Sequence, residues 1–329
     1  MDDVRWFAPN RYCALPVSAL RASGLRIAEA GDAAARVAVA ADGQCAVAGF
    51  EFARRHRCPL ILYLWDLPPW RLGRGSPDLV FAAGGRIHRL PRLLGGYPER
   101  AGYYSRIRYV ARHATRVWCP SVQTSNDVRH HFAVAAQHLP FCYDSDRFGA
   151  AAVTPLVPVA TPVLLSISRL VPSKNHGVIL RAAARLAQAV TVRIIGQGPE
   201  AESLRREAVA LGVTLRLDDG WASGEAIVAA YRAASVVVCP SRFEGFGLTP
   251  MEGLAMARPV IASAIPVHRE FVGELVRLFD PDDDAQLARH CASALAAPPP
   301  AVPPESPLPG LTIEACAARL QAALLPWLP

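Results

Sequence analysis

The chain has 329 residues, with 35 Lys plus Arg against 28 Asp plus Glu, a net charge of +7 and a hydrophobic share of 52%. That share excludes a disordered chain, and the length suits two domains better than one. No apolar run approaches the roughly 18 residues of a membrane-spanning helix, and Met1-Asp2-Asp3-Val4-Arg5-Trp6 lacks the apolar core of a signal peptide, so a soluble cytoplasmic protein is expected.

Strand-like apolar runs alternate with helical ones along the whole chain, the pattern of parallel α/β layers. In the first half the strands are expected at Val4–Ala8, Arg36–Ala40, Leu60–Leu64 and Arg116–Cys119. In the second half they are expected at Pro162–Ser168, Thr191–Ile195, Thr214–Leu217, Ser235–Cys239 and Val260–Ala262, with helices such as Gly177–Gln188 and Glu200–Leu211 between. The stretch Gly149 to Pro162 reads as an interdomain linker. This places a first domain at 1–150 and a second at 160–296. Residues 297–329 then form a Pro-rich linker and a final helix, from about Leu311 to Leu325, that crosses back onto the first domain. Val117-Trp118-Cys119-Pro120-Ser121 and Val237-Val238-Cys239-Pro240-Ser241 echo each other, as two similarly built halves would.

Charge is shared unevenly. Residues 1–150 hold 20 Arg and 12 acids, and within 71–116 there are ten Arg and two acids. Such a local positive surface implies an anionic partner: an anionic membrane touched peripherally, or a lipid diphosphate. A solvated helix face is the alternative. No zinc-finger, RNP or helix-turn-helix signature supports nucleic acid. The eight cysteines form no C-x-x-C pair and read as reduced, mostly buried thiols.

Lys174 is the one lysine in the chain. It follows Ser168-Arg169-Leu170-Val171-Pro172-Ser173 at the end of an apolar strand, so Arg169 and Lys174 leave that strand end together. Two cations at the carboxyl end of a parallel strand suit a phosphate or diphosphate. The segment Pro240-Ser241-Arg242-Phe243-Glu244-Gly245-Phe246-Gly247-Leu248-Thr249-Pro250-Met251-Glu252 likewise leaves a strand and enters a helix. Its glycines let backbone approach a ligand, and the helix start offers unpaired amides to an anion. Glu244 and Glu252 can accept hydrogen bonds from sugar or ribose hydroxyls. Thr249-Pro250-Met251-Glu252 also fits a capping box, with Thr249 as N-cap and Glu252 at N3.

Three of these segments, Ser168 to His176, Ile194-Ile195-Gly196-Gln197-Gly198-Pro199-Glu200 and Glu244 to Glu252, resemble the nucleotide-sugar half of GT-B glycosyltransferases, with the retaining group 1 type as the nearest pattern. Tyr231-Arg232-Ala233-Ala234-Ser235, Pro259-Val260-Ile261-Ala262-Ser263 and Pro266-Val267-His268-Arg269-Glu270 extend the likeness, which is dense over 160–290. The resemblance implies two facing doubly wound Rossmann-like domains with the nucleotide sugar between them. It also implies a metal-independent hexosyltransferase that retains anomeric configuration and needs no cofactor. Arg169 and Lys174 would hold the donor diphosphate, Glu244 the sugar and Glu252 the ribose. Amides near Phe246, Gly247 and Leu248 would meet the phosphates. Gly196 and Gly198 would turn beside the nucleotide, or simply form a tight turn. The base would lie near Leu217-Asp218-Asp219-Gly220-Trp221, where the acids either read guanine or form a solvated turn. Pro266–Gly273 and Leu278-Phe279-Asp280-Pro281 look most like users of GDP-mannose. The acceptor would be a glycan, glycolipid or small molecule. Asp66 would touch sugar or acceptor, or cap its loop.

Two departures stand out. Pro9-Asn10-Arg11-Tyr12-Cys13-Ala14 replaces a Gly-rich loop, and Trp65-Asp66 stands where a histidine and aspartate are common. They leave open a silent nucleotide- or partner-binding protein on the same fold.

Overall fold

The computed structural model describes residues 1–68, 98–149, 152–155, 159–220, 222–297 and 305–328. They form two compact units, Met1–Cys142 with Ile313–Pro329, and Tyr143–Thr312. Each holds a six-stranded, all-parallel sheet.

In the first unit the strands are β1 (Asp2–Phe7), β2 (Ile27–Ala28), β3 (Ala35–Ala40), β4 (Leu60–Tyr63), β5 (Arg116–Cys119) and β6 (Gln137–His138), in spatial order β2-β1-β3-β4-β5-β6. Leu60, Leu62, Val117 and Cys119 pack with Phe52, Val128 and Phe132 in one core. Continuous apolar strands are what a parallel sheet covered on both faces requires. The two departures have local explanations here. After β1 the chain makes a 3-10 turn, Tyr12–Ala14, and Asn10 Oδ1 accepts the Cys13 N–H at 3.2 Å. Trp65 donates its indole N–H to Ala41 O at 2.8 Å and meets Phe141 edge-on at 4.7 Å between ring centres. The final helix, Ile313–Leu324, packs against the helix Val17–Ala22, and Arg319 donates to Pro140 O at 3.0 Å.

The second unit contains β7 (Val163–Ile167), β8 (Thr191–Ile195), β9 (Thr214–Asp218), β10 (Val236–Cys239), β11 (Val260–Ser263) and β12 (Arg277–Phe279), in order β12-β11-β10-β7-β8-β9. Strand order reverses between β7 and β10. In a doubly wound sheet the loops leaving such a pair diverge to opposite faces and open a crevice at their carboxyl ends. The first boundary falls at Cys142 rather than 150, because the next residues pack with the second unit: Tyr143 N–H donates to Leu311 O at 3.2 Å, and Phe148 meets Tyr231 edge-on.

Gly196 and Gly198 owe their identity to the loop after β7. A Cβ on Gly196 would lie 1.9 Å from Ser168 O, and one on Gly198 2.2 Å from Leu170 O. Leu170 N–H donates to Gln197 O at 2.7 Å, so the two loops are stitched backbone to backbone. Gly196→Ala is therefore expected to destabilise the protein by about 3 kcal/mol, since neither backbone can yield cheaply. Urea melts check this; an unchanged midpoint would contradict the close approach.

Candidate functional site

The loops leaving β7 and β10 meet directly. Arg242 N–H donates to Ser173 O at 2.8 Å. Asn175, left-handed at φ 56°, ends the 3-10 turn Pro172–Lys174, and its side-chain amide donates to Pro281 O at 2.8 Å and Pro240 O at 3.3 Å. Asparagine tolerates that backbone better than most residues. One side chain thus ties together the loops after β7, β10 and β12.

Lys174 Nζ then donates to Glu244 Oε1 at 2.5 Å, and Ser241 Oγ donates to the same oxygen at 2.7 Å. Both partners of the ion pair are largely enclosed, at 12% and 20% side-chain exposure. Burial would raise the Glu244 carboxyl, but the Lys174 charge and the hydrogen bonds from Lys174 and Ser241 outweigh it and hold the group below its usual range. Lys174 and Glu244, read separately in the sequence, act as one unit.

Glu252 lies nearby in sequence but in a different environment. The helix Leu248–Ala255 starts at Gly247, at φ 79°, as N-cap, not at Thr249. Thr249 Oγ1 instead donates to Ile167 O at 2.9 Å. The capping box is therefore not formed. Glu252 is buried, accepts the Tyr231 hydroxyl at 2.8 Å, and has its carboxyl pushed up to about 7 by burial and the Asp144 charge, against the lowering effect of that hydrogen bond. A carboxyl poised to change charge near neutrality is a common feature of functional sites. Tyr231→Phe should cost about 1–3 kcal/mol at pH 8, where the carboxylate loses its donor, and less at pH 6. Denaturant melts at the two pH values test this, and an equal loss at both would argue against a titrating Glu252.

Arg169 shares the β7 loop with Lys174 but is exposed, and no hydrogen bond or ion pair engages its side chain among the described residues. Phe246 is buried edge-on against Phe271, at 4.9 Å between ring centres, so it anchors the loop while Gly247 and Leu248 start the helix. Asp66 is exposed in the first unit, where its charge helps raise Asp42 after burial. Asp218 is engaged by Arg193 at 2.7 Å and Arg216 at 3.2 Å, and Asp219 lies 3.5 Å from Arg205. Both acids are thus paired with arginines. Trp221 and residues 71–97, including most of the basic segment, lie outside the described residues. The helix Pro98–His113 buries Tyr104, Ile107 and Val110 in the first unit's core, so that apolar stripe does not face outward.

Three residues were not singled out by motif. His176 is buried, with Nε2 2.9 Å from Ser168 Oγ, and burial holds it neutral by pushing its pKa down to about 4. His268 is buried beside Gly247, and Tyr231 holds Glu252. All three lay within quoted segments, but only the fold shows what they face.

Two parallel doubly wound sheets, each of six strands, give the chain the GT-B fold. Residues 155–303 match the model of glycosyl transferases group 1. It is 34% identical over 170 residues to a D-inositol 3-phosphate glycosyltransferase of Saccharomonospora viridis, covering 44% of this chain and 39% of that protein. A protein of the same name from Corynebacterium efficiens is 37% identical over 153 residues, 42% of this chain and 36% of its own length. The chain thus aligns with less than two fifths of either relative. Among solved structures, Anabaena Alr3699/HepE in complex with UDP superposes with a TM-score of 0.68 at 14% identity, covering 99% of this chain and 100% of that one. Sucrose-phosphate synthase of Thermosynechococcus elongatus gives 0.63 at 16%, covering 98% and 94%. At such identities these two support the fold alone. No described helix is long and apolar enough to cross a membrane.

Proposed function

We propose that this protein transfers a hexosyl group from a nucleotide sugar to an acceptor hydroxyl, with retention and without a metal. The observation that carries this reading is the Lys174–Glu244–Ser241 cluster at the switch point of the sheet in the matched family domain. As the sugar–phosphate bond breaks, negative charge collects on the leaving diphosphate. Arg169 is available to it, Lys174 is a positive charge beside it, and the amides at Gly247 and Leu248 open the helix toward it. Each interacts more strongly with the developing charge than with the ground state, which is what lowers a barrier. Glu244, fixed through one oxygen, keeps the other for sugar hydroxyls; Glu252 serves the ribose.

For the donor we favour GDP-mannose, on the pattern of Pro266–Gly273 and Leu278–Pro281. The acceptor is a glycan, glycolipid or small molecule, and the printed name of the curated relatives makes a phosphorylated inositol the first to assay. Arginine charge in 71–116, not an apolar face, would carry contact with an anionic membrane.

A thermal-shift panel of UDP, GDP, dTDP and ADP with their sugars tests this. One nucleotide should raise the melting temperature by mass action, by an increment that grows with the logarithm of ligand concentration. Turnover of the matching sugar donor should follow. Binding without turnover would favour the silent alternative, and no shift with any nucleotide would overturn the reading.

A further inference from the structure

The Lys174–Glu244 pair has a third neighbour that donor binding does not obviously use. His268 sits in the helix Pro266–Val272, 1% exposed, with its Nδ1 2.9 Å from Ser263 O. The Ser263 hydroxyl is already committed as a donor to Ser241 O. Nδ1 therefore carries the ring hydrogen, and in the neutral ring Nε2 is a bare acceptor. That nitrogen is buried and has no hydrogen-bond partner among the described residues. It lies under the donor loop: a Cβ on Gly247 would be 3.5 Å from it. A buried imidazole nitrogen left unpaired is costly and calls for an explanation.

The charges around it supply one. From the loop after β10, Glu244 favours the imidazolium; from the loop after β7, Lys174 opposes it. Cys239, at the end of β10, is a deeply buried thiol raised well above its usual range, first by burial and then by Glu244 and Glu252. Ser263 on β11 is neutral. On the histidine's own helix, Arg269 is exposed and donates to Ala264 O, and Glu270 is exposed. Burial, the largest influence, outweighs Glu244 and the Ser263 hydrogen bond, and Lys174 adds a smaller push in the same direction, so His268 is held below its usual range. A diphosphate arriving at Lys174 adds negative charge to the pair and offsets that push. An added anion favours the charged form of a nearby imidazole.

We propose that His268 is a positioning residue that takes one proton from solvent when a nucleoside diphosphate occupies the site, its Nε2–H then becoming a donor beneath the Gly247 loop while Lys174 serves the diphosphate. This rests on the donor-site reading above. The proton goes onto Nε2, Lys174 stays an ammonium, and no bond to the ligand forms or breaks. The unpaired nitrogen thus becomes a donor on binding.

The test is calorimetric titration of the full chain with UDP and with GDP at pH 7, in buffers of different ionisation enthalpy. After subtracting the result for His268→Gln, the wild type should show an uptake of roughly half a proton or more per nucleotide bound. Glu252→Gln separates out that carboxyl and should leave the His268 difference in place. Should His268→Gln fail to fold, the wild type suffices. Its imidazole nitrogen resonances should show the neutral Nδ1–H tautomer when free and the imidazolium with nucleotide bound. Binding with equal proton uptake in wild type and His268→Gln, or a ring that stays neutral in the complex, overturns the proposal and leaves the donor site standing. Absence of binding by either nucleotide overturns both.

Discussion

Lys174→Met is expected to lower turnover of the nucleotide-sugar donor by about 100- to 1,000-fold, the effect of removing one positioned group that stabilises charge in a transition state. The same substitution should destabilise the protein. It leaves the largely buried Glu244 without its cation, and breaking a buried pair from one side costs about 3–5 kcal/mol. The two effects can be separated. Lys174→Met combined with Glu244→Gln removes both charges, so most of the lost stability should return while turnover does not. Measured by denaturant melts and donor hydrolysis, this pair of variants asks whether the ion pair is kept for stability or for chemistry. Turnover near the wild-type level in Lys174→Met would end the assignment of leaving-group stabilisation to this residue.

Glu252→Gln is expected to stabilise the free protein at alkaline pH while weakening nucleotide binding. The Glu252 carboxyl is raised from 4.5 to about 7 in the fold, chiefly by burial. For a raised acid the protonated form is favoured by folding. Its contribution is complete below pH 4.5 and is lost as pH rises through about 7. Over that window the loss is about 3 kcal/mol. Above pH 7 the folded protein carries an anion in a site that disfavours it, relieved among the described residues by the Tyr231 hydroxyl. Glutamine keeps the shape and removes the titration. Melting at pH 6 and pH 8 should therefore converge in the variant and diverge in the wild type. A wild type equally stable at both would show that the carboxyl is not raised. The opposing effects mean that a destabilising carboxylate is retained at a position where a neutral amide would fold better.

The sequence placed β3, β4, β5, β7, β8, β9, β10 and β11 within a residue or so; all of these but β9 lie in the middle of a parallel sheet, where strands are apolar on both faces. The three it did not show, Ile27–Ala28, Gln137–His138 and Arg277–Phe279, are all edge strands of two or three residues. An edge strand pairs on one side and needs no long apolar run. Lys174, Glu244 and Glu252 were legible as types at strand ends, since that is where a doubly wound sheet presents chemistry. Their partners were not. Tyr231 reaches Glu252 from another helix, Asn175 joins three loops, and His268 lies beneath Gly247. Each such contact joins segments far apart in the chain, with no spacing rule. The Thr249 capping box failed for a related reason: its hydroxyl found Ile167 O on β7, a partner that local pattern cannot reveal.

The chain begins and finishes in the same unit, so the two halves differ in how they can be separated. Everything in the donor cluster falls within one uninterrupted stretch, Tyr143–Thr312, which a single gene fragment would encode. The other half is split in the message. A stop codon after Thr312 would strip Ile313, Cys316, Leu320 and Leu324 from its interior and leave the helix Val17–Ala22 bare on one side. Loss of residues 313–329 would thus damage the unit built mainly from residues 1–142.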